Sequence, residues 1–130
     1  MSQEGGINRY RDLFVWQKSM ALAKQVYSTT RSLPGDERFG LVSQMRRAAV
    51  SVPSNIAEGQ ARHGRKEFVQ FLSHAEGSLA ELDTQLTLAM ELGYCTRPSE
   101  SHKCVAMITE LQKMIASLCR KVAARLAAGT

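Results

Sequence analysis

Four stretches of the chain place apolar residues at alternating spacings of three and four, and no stretch alternates with a period of two. Helices alone are therefore predicted. The first begins near Asp12, a side chain suited to N-capping, and carries Leu13, Trp16, Met20, Ala23, Tyr27 and Thr30 on one stripe. Lys18, Lys24 and Arg31 fall on its outer face, and Leu33-Pro34-Gly35 stops it. The second runs from Asp36 to about Ala61 with a core stripe of Leu41, Met45, Ala48, Val52 and Ile56. Pro53 lies inside it, where the missing amide donor is expected to kink the axis, with Ser51, Ser54 and Asn55 near enough to satisfy freed carbonyls. The rival reading ends one helix at Val52 and starts another at Pro53. A stripe that stays in phase through Ile56 favours the kink.

The third pattern has the most regular seam: Phe68, Leu72, Ala75, Leu79, Leu82, Leu86 and Ala89, with Gly64 as N-cap and Glu67 in the first turn. Gly77 in its middle costs up to about 1 kcal/mol relative to Ala, so a close helix crossing is expected there. Gly93 ends the helix, with Tyr94 placed to fold back in a Schellman cap. The fourth starts between Thr96 and Ser99 and carries Cys104, Ile108, Leu111, Ile115, Leu118 and Val122. Such helices joined by short links imply antiparallel neighbours, hence an all-α, up-down-up-down four-helix bundle. One domain, residues 1–130, is expected, with residues 1–9 and 127–130 frayed.

The second helix carries an unusual outer face. Ser43, Arg46, Arg47, Val50, Ser54 and Ala57 gather opposite the core stripe, where a solvated helix would normally show Glu and Lys. A Val50 that points away from the core needs a second subunit or a ligand to cover it. Arg46, Arg47, Val50, Ser54 and Ala57 are accordingly candidates for an oligomer interface. Charge sharpens the asymmetry: residues 1–66 hold 11 Lys or Arg against 5 Asp or Glu, whereas residues 67–92 hold 5 acids and no Lys or Arg. The net charge of +5 thus combines a basic surface with one wholly acidic helix.

The stretch Gln44 to Gly59, Gln-Met-Arg-Arg-Ala-Ala-Val-Ser-Val-Pro-Ser-Asn-Ile-Ala-Glu-Gly, resembles the bacterial four helix bundle protein family. Trp16-Gln17-Lys18 before it and Gly77-Ser78-Leu79-Ala80-Glu81-Leu82 after it share the resemblance, which runs from about Tyr10 to Tyr94. That family includes proteins encoded by intervening sequences of large-subunit ribosomal RNA genes, and accessory variability proteins that work with reverse transcriptases of diversity-generating retroelements. The resemblance implies a basic bundle assembled as a homopentameric ring, a nucleic-acid-related role, and no catalytic residues to carry over. The last helix matches only in length and apolar character.

The chemistry of the chain points away from catalysis. His63, His74 and His102 are isolated, and the expected role of His74 is that of a hydrogen-bonded core residue. Cys95, Cys104 and Cys119 form no C-x-x-C pair and read as thiols of a reducing compartment. No run reaches the roughly 18 apolar residues of a membrane span, and the N-terminus lacks the pattern of a secretory signal, so no membrane partner and a cytoplasmic location are expected. No metal or cofactor site is predicted. The remaining functional candidates are Arg38, Arg46, Arg47, Arg62, Arg65 and Lys66, a mainly guanidinium set that matches paired phosphate oxygens of RNA or DNA. Two readings stay open. One is a non-enzymatic oligomer that binds nucleic-acid backbone, as accessory scaffold to a nucleic-acid enzyme such as a reverse transcriptase. The other is a protein-interaction scaffold in which Arg46 and Arg47 meet carboxylates of a neighbouring subunit. Trp16, Phe68 and Phe71 read as core or interface, not as a base-stacking platform.

Overall fold

A computed structural model describes residues 9–129, which form four helices and no strand. We label them α1 (Phe14–Thr30), α2 (Leu41–Ala61), α3 (Arg65–Glu91) and α4 (Pro98–Gly129). Each helix packs on its sequence neighbours, and α1 closes the ring against α4. The alternation of direction shows in the cross-helix bonds. Ser28 near the end of α1 donates to Glu100 Oε1 at the start of α4 (3.0 Å), and Lys18 pairs with Glu110 further along α4 (3.4 Å). At the same end of the bundle the Tyr94 hydroxyl donates to Glu37 Oε2 (3.2 Å), joining the α1–α2 and α3–α4 links. Burial first, and the Glu37 carboxylate second, push the Tyr94 phenol above its ordinary pKa.

The expected stripes of α2 and α3 form the core: Met45, Val52, Ile56, Leu72, Leu79, Leu82 and Leu86 are fully buried. In α4, Cys104, Ile108, Leu111 and Ile115 are buried, while Leu118 is only partly covered. α1 departs from expectation by one residue. Its buried side chains are Val15, Ser19, Leu22, Ala23, Val26, Thr29 and Thr30, so Ala23 and Thr30 of the expected stripe are buried while the rest of the core face lies one residue earlier, at Val15, Ser19, Leu22, Val26 and Thr29. Ser19 and Thr30 tolerate burial because their hydroxyls donate to the carbonyls of Trp16 (2.7 Å) and Val26 (2.7 Å). Trp16 and Met20 are therefore only half-buried, and Tyr27 is exposed.

The helix starts also differ. Tyr10–Asp12 forms a 3-10 turn, and α1 begins at Phe14 after an extended Leu13, so Asp12 is not its N-cap. Gly35–Glu37 forms a second 3-10 turn, and α2 begins at Leu41, not Asp36. Glu37 caps that helix from outside, its Oε1 accepting from the Leu41 amide (3.0 Å). α2 continues without interruption through Pro53. Ser54 donates to the Val50 carbonyl (2.9 Å) and Asn55 to that of Ser51 (2.8 Å), both bonds spanning the proline.

Gly77 lies on the exposed face of α3, where an added Cβ meets nothing within 4 Å, so the close crossing expected there is absent. It occurs at Gly59, where an added Cβ would lie 2.6 Å from Phe71 Cβ, between α2 and α3. His74 is exposed, edge-on to Phe71, and is not a core residue. The Schellman cap forms as expected: Gly93 takes φ 76°, its amide donates to Met90 O (3.0 Å), and the Tyr94 amide donates to Ala89 O (3.0 Å). α4 remains helical to Gly129, past the residues expected to fray, while the same expectation for residues 1–8 and Thr130 lies outside the described residues.

The three cysteines are free thiols. Cys104 is buried, and desolvation pushes its pKa up to about 12, with Cys95 adding a smaller upward contribution. At pH 8 the partly exposed Cys95 and Cys119 are expected to react with a thiol reagent at least ten times faster than Cys104, whose labelling follows global unfolding. Peptide mass mapping after timed alkylation checks the order.

Candidate functional site

The rotation of α1 leaves a second apolar face beside α2. Trp16, Met20, Tyr27, Val50, Ser54 and Ala57 line a groove of about 490 Å³, with Lys24 and Arg31 at its edge. Val50 is 43% exposed, in keeping with its expected direction away from the core. At one end Tyr10 packs edge-on to Trp16 with ring centroids 5.4 Å apart, and the Arg11 guanidinium lies over both rings. Past Tyr27 and Val50 the groove opens into a wider depression of about 680 Å³ that holds Arg38, Phe39, Ser43, Arg46 and Arg47. No Asp or Glu among the described residues lines either space.

The three arginines of the depression do different work. Arg46 is tied to α1: its Nε donates to Thr30 Oγ1 (2.9 Å), its Nη2 to the Tyr27 carbonyl (3.4 Å), and its guanidinium lies 4.6 Å from the Tyr27 ring centroid. It therefore holds the end of α1 against the start of α2 and partly neutralises the negative end of the α1 dipole. Arg47 is exposed and, among the described residues, makes only a long bond to Ser43 Oγ (3.5 Å). Arg38 stands over the Phe39 ring at 5.4 Å, and Phe39 itself is 88% exposed.

Arg62, Arg65 and Lys66 do not join this cluster. Arg62 closes α2 about 22 Å along the axis from Arg47 at about 1.5 Å per residue, and Arg65 and Lys66 open α3 at that same end. Arg62 is engaged, pairing with Glu58 (2.9 Å) as its spacing suggests and covering Phe71 at 5.3 Å. Arg65 and Lys66 are exposed at the start of α3. Within the chain, none of the five acids of residues 67–92 enters a salt bridge among the described residues. Arg47 and Glu81 border one cleft without pairing.

Phe39 and Tyr27 as solvent-facing rings escape sequence reasoning for different reasons. Phe39 falls in the stretch that the pattern assigns to the first turn of the second helix, off its core stripe, whereas the structure puts it in the link before Leu41, and Tyr27 belongs to the stripe that the α1 pattern assigns to the core. The one available signal was the Arg38-Phe39 pair itself, a cation beside an aromatic ring just ahead of a basic helix.

Fold and surface together define an antiparallel four-helix bundle with an acid-free, arginine-bearing depression and a helix, α3, that is acidic from Glu67 onward but opens with Arg65 and Lys66, so it is not wholly acidic as the sequence pattern suggests. The chain belongs to the 23S rRNA-intervening sequence protein family, whose sequence model matches residues 11–117. It is also similar in fold to a crystal structure of a protein of unknown function from the S23 ribosomal protein family of Bacteroides thetaiotaomicron. The TM-score is 0.71 at 24% identity, covering 81% of this chain and 97% of that one. No curated protein gives a significant match. Among the described residues, no helix is long and apolar enough to cross a membrane, and no three His, Cys, Asp or Glu side chains come together as a metal site.

Proposed function

We propose that this protein is a non-enzymatic, cytoplasmic, self-associating bundle that binds RNA or DNA backbone through its α1–α2 face, as accessory scaffold to a nucleic-acid enzyme such as a reverse transcriptase. The observation that carries this reading is the acid-free depression holding Arg38, Arg46 and Arg47. Guanidinium groups in a depression lined by no carboxylate are open to phosphate, and among the described residues Arg38 and Arg47 form no salt bridge. Arg62, Arg65 and Lys66 extend the basic surface to the other end of α2. Titrating fluorescently labelled mixed-sequence RNA and duplex DNA at low and physiological salt tests the reading. Binding that weakens as salt rises supports it, and no binding at low salt removes it.

The neighbouring apolar groove supplies the means of assembly. Val50, Ser54 and Ala57 offer a shallow apolar surface edged by Lys24 and Arg31, and the unpaired acids of α3 on a second copy have the matching charge. Contact between two different faces is heterologous, the kind of interface from which a ring is built when the rotation between copies closes, in keeping with the pentamer that the family resemblance implies. Val50→Asp places a charge in that contact and is expected to reduce the assembly to monomers while the far-ultraviolet circular dichroism stays helical. Light-scattering mass is the readout; an unchanged mass would place the interface elsewhere.

The unpaired acids of α3 also favour a second reading, a protein-interaction scaffold without a nucleic-acid partner. A defined oligomer that binds neither RNA nor DNA at any salt would establish it over the first.

A further inference from the structure

Phe39 is the least covered large apolar side chain among the described residues, at 88% exposed, yet the link that carries it is pinned on both sides. Glu37 makes both attachments: one carboxylate oxygen accepts from the Leu41 amide and the other from the Tyr94 hydroxyl. The Arg38 and Gly40 amides donate to the carbonyls of Gly35 (3.1 Å) and Glu37 (3.0 Å). The ring is thus presented to solvent by a fixed backbone. A fully exposed phenyl ring gains nothing from water, and here it borders a concave surface containing Tyr27, Arg46 and Arg47. Each of the two rings has a guanidinium over it, at 5.4 Å for Arg38 and 4.6 Å for Arg46.

We propose that this depression is a site for single-stranded nucleic acid, with an unpaired base stacked on Phe39 and the adjoining phosphates held by Arg38 and Arg47. The inference rests on the nucleic-acid reading above and narrows it. A duplex offers phosphates to arginine but hides its base faces in the stack, so it can use the charges of this site and not the ring. A single strand uses both. Stacking on an aromatic side chain tolerates every base, so the site discriminates by strandedness and not by sequence. Whether the strand is RNA or DNA turns on contacts to the 2′-hydroxyl, which the two single-stranded probes below separate.

The test is fluorescence anisotropy with a labelled short RNA strand, the DNA strand of the same sequence and the corresponding DNA duplex, on the full chain and on Phe39→Ala and Phe39→Tyr. Because Phe39 packs against little, both variants are expected to melt like the parent. Phe39→Ala should weaken both single strands by roughly 5- to 150-fold, the loss of one aromatic–base stack, and leave the duplex affinity within about two-fold. Phe39→Tyr should restore single-strand binding. Equal losses on single strand and duplex, or no loss on either, would overturn the stacking site while leaving backbone binding intact. Absence of binding to every probe by the parent chain would instead remove the underlying reading. A Phe39→Ala protein whose light-scattering mass has changed would show that the ring packs against a second copy, and would overturn the proposal.

Discussion

Replacing Gly59 by Ala is expected to lower the unfolding free energy by about 1–3 kcal/mol, the range for forcing an extra carbon into a packed core. The new Cβ would fall 2.6 Å from Phe71 Cβ and 3.1 Å from Phe68 Cδ1. The first of these atoms sits one bond from the α3 backbone, so relief requires the two helices to move apart, not merely a rotamer change. Such a movement would disturb the bond between Ser51 Oγ and Ser78 Oγ (2.7 Å), which crosses the same pair of helices further along. Gly77→Ala makes the opposite expectation with the same chemistry. Its Cβ meets nothing within 4 Å, so the gain in helix propensity acts alone and should raise stability by up to about 1 kcal/mol. Paired thermal melts of the two variants read the sign directly. A destabilised Gly77→Ala, with Gly59→Ala unchanged, would place the close crossing where the sequence pattern expected it.

The second large effect concerns binding. Arg38→Glu and Arg47→Glu should each weaken nucleic-acid affinity by about ten-fold at low salt, given that a charged hydrogen bond is worth about 1.5–3 kcal/mol before screening at an exposed site. Both side chains are exposed and hold no bridging contact to another helix, so the fold should survive. Arg46→Glu is a poor probe of binding because it removes the ties to Thr30 and Tyr27 and so perturbs the α1–α2 packing. Arg62→Glu serves as the comparison. Its guanidinium is already shared between Glu58 and the Phe71 ring, and it stands at the far end of α2, so its reversal should cost less than that of Arg47. Equal losses at both positions would mean that the whole length of α2 is charge-equivalent and that the depression has no special part.

Most of the bundle was legible in the sequence because α2, α3 and α4 as far as Ile115 bury most of what their periodicity displays, whereas Leu118 and Val122 stay partly covered. Leu72, Leu79, Leu82 and Leu86 repeat at helical spacing and all fall in the core, as do Met45, Val52 and Ile56. α1 misleads because its core face includes Ser19 and Thr29, whereas the adjacent face includes Trp16 and Tyr27. Apolar periodicity selects the larger side chains, but burial of a hydroxyl costs little once it is hydrogen-bonded, as Ser19 is by donating to the Trp16 carbonyl and Thr29 by accepting from Gln25 Nε2. The error is informative: Trp16, Met20 and Tyr27, the part of the expected stripe that stays outside the core, are the wall of the apolar groove, while Ala23 and Thr30 of the same stripe are buried. Val50 was legible as a residue pointing the wrong way, and it lines that groove.

The rest depended on distances that no one-dimensional pattern carries. Gly59 and Gly77 are each a single glycine within a helix, and only the approach of α2 to α3 separates them. The start of α2 was misplaced because Glu37 acts as a cap from outside the helix, through a side chain that in sequence looks like part of its first turn. The six basic candidates likewise read as one set, yet they divide into groups at the two ends of α2, and Arg46 turns inward to α1. Phe39 was hidden by the same misplaced start, because the stretch that carries it reads as the first turn of α2.

The central claim, that the Arg38 and Arg47 face grips phosphates, is tested most directly by the slope of log affinity for a single strand against log salt, compared between the parent chain and the Arg38→Glu/Arg47→Glu double variant. Each phosphate contact on a single strand contributes about 0.7 to that slope, so loss of both should make it shallower by about 1.4 for each copy engaged. A parent slope near zero at measurable affinity, or a double variant with the slope of the parent, would contradict the claim.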